Sequence, residues 1–194
     1  MSSGQRRGRW SGVSLQDRQT LRRDELVAAG VQLLGGAAGP ALTVRAVCRA
    51  ANLTERYFYE SFTDRDEFVR AVYDDVCSAA MSALTTADTP RDAVERFVTL
   101  MVDDPVRGRV LLIAPEREPV LAKSGAEWMP NFIALLQRKL TRITDPAKQA
   151  MVATGLVGAL TALFTAYLNG RLPTTREQFI DYCVDMLVSR AAAR

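Results

Sequence analysis

The segment LTERYFYESF, residues 53–62, holds side chains that are well suited to contact a polyanion. An arginine such as Arg56 can donate two parallel hydrogen bonds to a guanine, and Glu55 can accept one from a cytosine. A tyrosine can donate its hydroxyl to a phosphate. Three aromatic residues are adjacent at positions 57–59, although neighbours on a helix point about 100° apart. These rings cannot all face one core, so some of them must face something else.

Catalytic and metal-binding chemistry is poorly supported. The sequence contains no histidine, which excludes a Ser-His-Asp triad, a Cys-His dyad and any His-ligated zinc site. The carboxylate pairs Asp74/Asp75 and Asp103/Asp104 diverge on a helix, so convergent acid and base groups are not visible. Three widely separated cysteines lie among apolar residues, which favours buried free thiols in a reducing cytoplasm: Cys48, Cys77 and Cys183. We therefore expect no catalytic residue, no metal and no cofactor.

The positive charge is concentrated near the N-terminus. Within residues 1–23, Asp17 is the one acidic residue among six arginines: Arg6, Arg7, Arg9, Arg18, Arg22 and Arg23. A basic arm of this kind favours a polyanionic partner, most commonly nucleic acid, and a solubilising tail is the alternative. The segment lacks the apolar run of a secretory signal. We expect residues 1–13 to form a basic flexible arm and the protein to be cytoplasmic.

Hydrophobic residues recur with helical spacing along nearly the whole chain, and no segment alternates like a strand. A first helix precedes the breaker GGAAGP at residues 35–40. Two short helices follow, capped by Thr43 and Thr54 and joined at Asn52, which tolerates a positive φ. This arrangement is a helix-turn-helix. Longer helices are predicted to begin near Asp64, Pro90, Pro105, Val120, Pro146 and Thr175.

Residues 42–72, LTVRAVCRAANLTERYFYESFTDRDEFVRAV, resemble the DNA-binding signature of the TetR family of bacterial transcriptional regulators. The resemblance extends upstream over residues 23–34. The family usually has Gly where this chain has Asn52, His where it has Ser61 and Lys where it has Arg65. Serine and arginine can both contact phosphate, so we expect altered detail and retained DNA binding.

The resemblance implies an all-α fold. Residues 14–63 would form a three-helix DNA-binding domain, and residues 64–194 a larger helical domain for effector binding and dimerisation. Phe58 and Phe62 would anchor the recognition helix to its core. The residues expected to face DNA are Thr43, Arg45, Thr54, Glu55, Arg56, Tyr57, Tyr59, Ser61 and Arg65. The alternative is that Tyr57 completes a local core and Arg56 pairs with Glu60 on a solvated face.

The last two long helices correspond to the dimer interface of the family. Residues 149–170 contain no charge and are long enough to span a membrane, but interspersed polar residues and weak basic flanks favour a membrane-free protein. Small residues at four-residue spacing would allow close helix approach, and the last helix has an apolar stripe. The predicted interface is Thr154, Gly158, Ala162, Ala166, Phe179, Cys183 and Leu187. The alternative is that both helices are ordinary core.

The resemblance also implies a pocket for a small-molecule effector within the second domain. Soft or aromatic residues could line it, although each could equally be core: Met101, Trp128, Met129, Phe132, Met151 and Phe164. We therefore predict a homodimeric regulator that binds a palindromic operator in double-stranded DNA and is released by its effector, most often a repressor in this family. A helical adaptor and a constitutive DNA binder without an effector are the alternatives, and an enzyme is a more distant one.

Overall fold

The structure, a computed structural model, describes residues 15–36 and 42–192, and these residues form helices and no strand. The all-α prediction is therefore confirmed. The helices are α1 Leu15–Leu34, α2 Val44–Ala50, α3 Glu55–Ser61, α4 Arg65–Thr85, α5 Pro90–Met101, α6 Pro105–Leu112, α7 Ala114–Arg117, α8 Pro119–Lys139, α9 Pro146–Leu168 and α10 Arg176–Ala192. The predicted basic arm and the first residue of the predicted DNA-binding domain lie outside the described residues.

Local sequence explains the turn between α2 and α3. Thr43 caps α2 by accepting a hydrogen bond from the amide of Ala46, and Asp64 caps α4 by accepting one from Glu67 at 2.7 Å. Asn52 adopts φ of 53°, which an asparagine tolerates better than most residues. Thr54 occupies the N-cap position of α3 but makes no side-chain capping bond. The predicted helix-turn-helix is thus present. Of its two predicted capping residues, Thr43 makes the hydrogen bond and Thr54 only occupies the position.

An aromatic cluster holds α3 against α4. Phe58 and Phe62 are buried, and their ring centroids lie 5.5 Å apart. Phe68 of α4 packs at 5.2 Å from the first ring and 5.0 Å from the second. Gly30 of α1 lies so close to α4 that a Cβ there would be 2.5 Å from Val72 and 2.6 Å from Phe68. The three-helix unit is therefore built around the first half of α4.

Helix α4 also belongs to the second part of the molecule. Its later buried residues, Val76 and Ala80, share one core cluster with the first three helices and with Leu121 of α8. The predicted domain boundary after residue 63 therefore falls inside a continuous core. A shift of α8 relative to α4 would therefore disturb the same core cluster in which α3 is packed.

A second cluster joins α5, α9 and α10. Phe164 of α9 meets Phe97 of α5 at 4.8 Å and Phe179 of α10 at 4.9 Å, both edge-on. Helix α9 is long and apolar enough to cross a membrane by length and composition, with a mean hydropathy of 1.7, and 17% of that window is buried. A helix of a soluble protein can pass the same test, so this finding is weak support for a span. It does mean that much of an apolar helix remains uncovered.

Candidate nucleic-acid interface and ligand cavity

The aromatic residues of α3 divide between the interior and the surface. Phe58 is fully buried, whereas Tyr59 is 57% exposed, and the two rings meet edge-on at 5.4 Å. The side chain of Arg56 is 83% exposed on the same short helix. Helix α3 therefore presents a tyrosine and an arginine to solvent on a rigid aromatic base.

Two ion pairs lie on this exposed surface. Arg56 donates to Glu60 at 2.9 Å, and Arg45 of α2 donates to Glu55 at 3.3 Å. The second pair brings the starts of α2 and α3 together. Exposed pairs of this kind contribute only about 0–1 kcal/mol. The pairing of Arg56 with Glu60, which the sequence offered as the alternative to a DNA contact, is thus present. Breaking it would cost little free energy.

Tyr57 is less exposed than a DNA-facing residue was expected to be. It is half-buried, and the guanidinium of Arg22 lies 4.0 Å from its ring centroid. Ser61 donates its hydroxyl to the carbonyl of Tyr57 at 3.1 Å. Thr43 and Thr54 are exposed at the starts of their helices. Sequence analysis missed the role of Arg22 as a cover for Tyr57, because the charge bias near the N-terminus shows arginines without showing their partners.

Arg65 contacts three partners within the protein. Its Nε donates to the carbonyl of Leu42 at 2.8 Å, and one terminal nitrogen donates to both carboxylate oxygens of Glu118 at 2.9 and 3.0 Å. The other terminal nitrogen contacts Asp66 at 3.4 Å. The guanidinium is thus engaged within the protein, where it ties α4 to the starts of α2 and α8. The phosphate contact of Arg65 stays a prediction.

A cavity of about 430 Å³ lies between α4, α5, α6, α8, α9 and α10. Four of the predicted pocket residues line it: Trp128, Met129, Phe132 and Phe164. Two others are corrected. Met101 is fully buried in the core, where its carbonyl packs tightly on Gly108, and Met151 is 68% exposed on the outer surface of α9. Met101 thus belongs to the packed core and Met151 to the outer surface, and neither lines the cavity.

The cavity lining is largely apolar, with few polar groups. Tyr73 of α4 and Thr161 of α9 lie in the wall, and Lys139 and Asp88 are exposed lining residues. The Thr161 hydroxyl donates to the carbonyl of Val157 at 2.8 Å, and the indole of Trp128 donates to Asp74 at 2.7 Å. Sequence analysis missed Tyr73, because its position in the apolar stripe of α4 marks it as core.

Burial sets the protonation state of Tyr73 in the cavity wall and of Cys77 behind it. It raises the pKa of Tyr73 well above its ordinary value and that of Cys77 to about 12, because a charged phenolate or thiolate would be desolvated there. Both groups therefore stay protonated at neutral pH. Cys48, Cys77 and Cys183 are all free and buried. Among the described residues, no group of three or more Cys, Asp or Glu side chains is placed to hold a metal ion.

Comparison with solved structures identifies the architecture. A TetR-like transcriptional regulator from Rhodococcus sp. RHA1 matches with a TM-score of 0.67 and 16% identity over 90% of this chain and 98% of that chain. A TetR family transcription regulator from Marinobacter aquaeolei VT8 matches with a TM-score of 0.65 and 17% identity over 93% and 100%. The chain has the fold of TetR-family transcriptional regulators.

A further match links this fold to a protein described by its ligands. The multidrug binding protein EbrR, complexed with imidazole, matches with a TM-score of 0.61 and 19% identity over 88% of this chain and 92% of that chain. No protein-family model matches the sequence, and no curated protein matches it either. The likeness therefore rests on three-dimensional structure.

Within this TetR-family fold, α9 and α10 present an outer surface that differs in part from the prediction. Phe179 and Cys183 are buried inside the chain, where the ring of Phe179 stacks on that of Tyr167 at 4.3 Å, and Leu187 lines the cavity. The predictions for Phe179 and Cys183 are corrected, because these residues face their own chain. Leu187 is half-buried, and its place in the interface stays a prediction. Among the residues whose burial is described, the large exposed apolar residues of the two helices are Met151, Tyr182 and Val188.

The small-residue face of α9 does lie outward in this TetR-family fold. Thr154, Gly158 and Ala162 are exposed, and a Cβ added at Gly158 would meet nothing within 4 Å. Ala166 is half-buried and lines a shallow groove with Ala162 and Gly158. No described part of the chain packs over Gly158 on this face.

Proposed function

We propose that this chain is a cytoplasmic TetR-family regulator that binds duplex DNA through α3, acts as a homodimer and responds to a small molecule held in the cavity. The observation that carries the proposal is the division of adjacent aromatics on α3, with Phe58 buried and Tyr59 57% exposed. A helix with an anchored ring and an exposed tyrosine beside an exposed arginine is suited to enter a major groove. Release from the operator by the effector, and hence repression, is the mode we favour.

The proposed DNA-facing surface comprises exposed residues from α2, α3 and their caps: Thr43, Arg45, Thr54, Glu55, Arg56 and Tyr59. Arg56 would read a guanine, and Tyr59 would donate to a phosphate. Tyr57 and Ser61 would support this surface from one side, because both are half-buried.

Dimerisation is proposed through the outer face of α9 and α10. Support comes from the exposed apolar residues Met151, Tyr182 and Val188 and from the open space over Gly158. A second copy of the chain would cover this face and would place two α3 helices on one duplex. The two helices would then meet half-sites about 34 Å apart, one turn of DNA, or at another spacing that the operator sets.

Regulation is proposed to pass through α8 and α4. Helix α8 lines the cavity with Trp128 and Phe132, and Glu118, which precedes it, holds Arg65 of α4. A ligand matters only if it binds one arrangement of these helices better than another. A differential affinity of about 1.4 kcal/mol changes the equilibrium tenfold.

The test is capture of genomic DNA fragments by the purified full chain, followed by anisotropy titration of a recovered duplex at several salt concentrations. A regulator should enrich one palindromic sequence. The logarithm of its binding constant for that sequence should fall linearly with the logarithm of the salt concentration. The variant Arg138→Ala loses an exposed arginine of α8, outside the proposed DNA-facing surface, and should bind the duplex like the wild type. Fragments without any shared sequence, bound without salt dependence, would favour a protein-binding adaptor, and unchanged operator affinity across all small molecules would leave a constitutive DNA binder.

A further inference from the structure

The charges of the cavity lie where solvent reaches them. Among the described lining residues, Lys139 and Asp88 are the charged side chains, and both are exposed. Lys139 donates to the carbonyl of Ala87 at 3.4 Å. A charged ligand group carried deeper into the cavity would lose its water without meeting an opposite charge, which is strongly unfavourable. The interior therefore favours an uncharged ligand body.

Tyr73 supplies a buried hydrogen-bond donor in the wall. The residue is 4% exposed and lines the cavity. Its hydroxyl lies beside Gly125, where an added Cβ would be 3.6 Å from the phenolic oxygen. The thiol of Cys77, four residues further along α4, is the neighbouring polar group of this hydroxyl, and a thiol is a weak hydrogen-bond partner.

The other buried or half-buried donors of the described lining are already engaged. Trp128 donates its indole proton to Asp74, and Thr161 donates its hydroxyl to a carbonyl of its own helix. A ligand acceptor that reached Tyr73 would exchange a weak sulfur contact for a full hydrogen bond. The glycine at position 125 leaves room for that acceptor, because any larger residue would place a side chain beside the hydroxyl.

We propose that the cavity selects an uncharged, largely apolar ligand with one hydrogen-bond acceptor, such as a carbonyl oxygen, which the hydroxyl of Tyr73 binds. This inference rests on the proposed function in that it takes the cavity as the effector site. The phenol remains a donor over the whole physiological range, because burial keeps its pKa high. The preference is therefore for acceptors of any kind that carry no charge.

The test uses four probes of similar size: 4-phenylbutan-2-one, butylbenzene, 3-phenylpropanoate and 4-phenylbutylamine. Binding is followed by the fluorescence of Trp128 in the full chain with Trp10→Phe, since the sequence has two tryptophans, and is checked by calorimetry. The ratio of the ketone Kd to the hydrocarbon Kd isolates the hydrogen bond from the transfer of apolar surface. Tyr73→Phe should worsen this ratio by about 2- to 10-fold, the value of one neutral hydrogen bond, and should leave butylbenzene affinity unchanged.

Two further variants separate the hydroxyl from the fold. Tyr167→Phe removes a hydroxyl from a residue that stacks on Phe179 outside the cavity lining, and it should leave the ratio unchanged. Gly125→Ala places a methyl in ordinary contact with the Tyr73 hydroxyl, and it should worsen the ratio while the hydroxyl is still present. It also keeps the test decisive if Tyr73→Phe folds poorly.

The proposal is overturned if Tyr73→Phe and Gly125→Ala leave the ratio unchanged, if the carboxylate or the amine binds most tightly, or if none of the four probes binds. Titration of captured operator DNA with the same preparations distinguishes this failure from failure of the proposed function. Intact operator binding without probe binding would sink the ligand class alone. Probe binding without any DNA binding would sink the regulator and leave the Tyr73 site standing.

Discussion

Arg65 and Glu118 are joined by two hydrogen bonds of 2.9 and 3.0 Å from one guanidinium nitrogen to the two carboxylate oxygens. Glu118 occupies the N-cap position of α8 yet makes no capping bond to that helix. Arg65 also holds the carbonyl of Leu42, which precedes α2. One arginine therefore connects the wall of the cavity to the helix-turn-helix.

We expect Glu118→Gln to lower the free energy of unfolding by about 1 kcal/mol, because an ion pair with partly exposed partners becomes a hydrogen bond from the charged Arg65 to a neutral amide. Urea unfolding followed by circular dichroism measures the change. Glu127→Gln is the matched control, since Glu127 lies on the same helix and contacts Lys123 at 3.7 Å on an exposed surface. An equal loss in both variants would show that the Arg65 contact has no special weight.

Gly30→Ala should destabilise the protein by about 1–2 kcal/mol, the overpacking penalty less the gain in helix propensity. The added methyl would lie 2.5 Å from Val72 and 2.6 Å from Phe68, so α1 and α4 would have to separate. Thermal unfolding provides the measurement. Gly155→Ala is the control, because its methyl meets nothing within 4 Å, and it should be neutral or stabilising by up to about 1 kcal/mol. A neutral Gly30→Ala would mean that the two helices have room to move.

Replacing Arg56 with alanine should cost about 1–3 kcal/mol in operator binding if the side chain reads a guanine. The loss should be confined to one base pair, so affinity for unrelated duplex DNA should stay nearly constant. Competition titrations with single-base operator variants measure this preference. Arg45→Ala is the comparison, since Arg45 is equally exposed but is expected to contact phosphate and to weaken all sequences alike. Equal losses on every duplex for Arg56→Ala would remove it from base reading.

The replacement Gly158→Leu should weaken dimerisation at least tenfold, because a bulky side chain would hold two α9 helices apart. The protomer itself should tolerate the change, since there is open space over this glycine. Sedimentation velocity over a concentration series measures the dimer. Ala126→Leu adds the same side chain at an exposed position of α8 and should leave the dimer intact. A wild-type protein that sediments as a monomer at micromolar concentration would contradict the proposed interface.

Acid should loosen the contact between α10 and Asp103, which lies between α5 and α6. Arg176 of α10 donates to Asp103 at 2.8 and 3.1 Å, and these bonds lower the pKa of the carboxyl below its ordinary 3.8. A lowered pKa gives a stabilising contribution that is complete above the ordinary value and is lost as pH falls through the folded-state value. Asp103→Asn should therefore be less stable than wild type at pH 7, and the difference should disappear in strong acid. Urea midpoints across this range test the sign, with Glu177→Gln as an exposed control.

Much of the fold was predictable because its signals are local. The prolines at positions 90, 105 and 146 each begin a helix, as the fixed φ of proline favours. Asn52 marks the turn and Asp64 the cap of α4. The short helix α7 was missed, since four residues are too few to show a period.

The candidate sites were harder to predict, because they depend on which face of a helix meets which neighbour. The stripe of α10 contains Phe179 and Cys183, but periodicity does not say whether such a stripe meets its own chain or a second copy. Arg65 has the residue type of a phosphate contact, and its partner Glu118 is remote in sequence. Tyr73 lies in an apolar stripe, so its hydroxyl became visible only with the cavity around it.

The hydrophobic core passes without interruption from Leu26 in α1 to Leu121 in α8. A fragment that ended at residue 63 would lose Phe68 and would expose Phe58 and Phe62 to water. We therefore expect amide protons in α1 and α3 to exchange in the same cooperative event as those in α4. For the same reason, we expect that any exchange of the first three helices between relatives, in evolution or by design, would have to include α4.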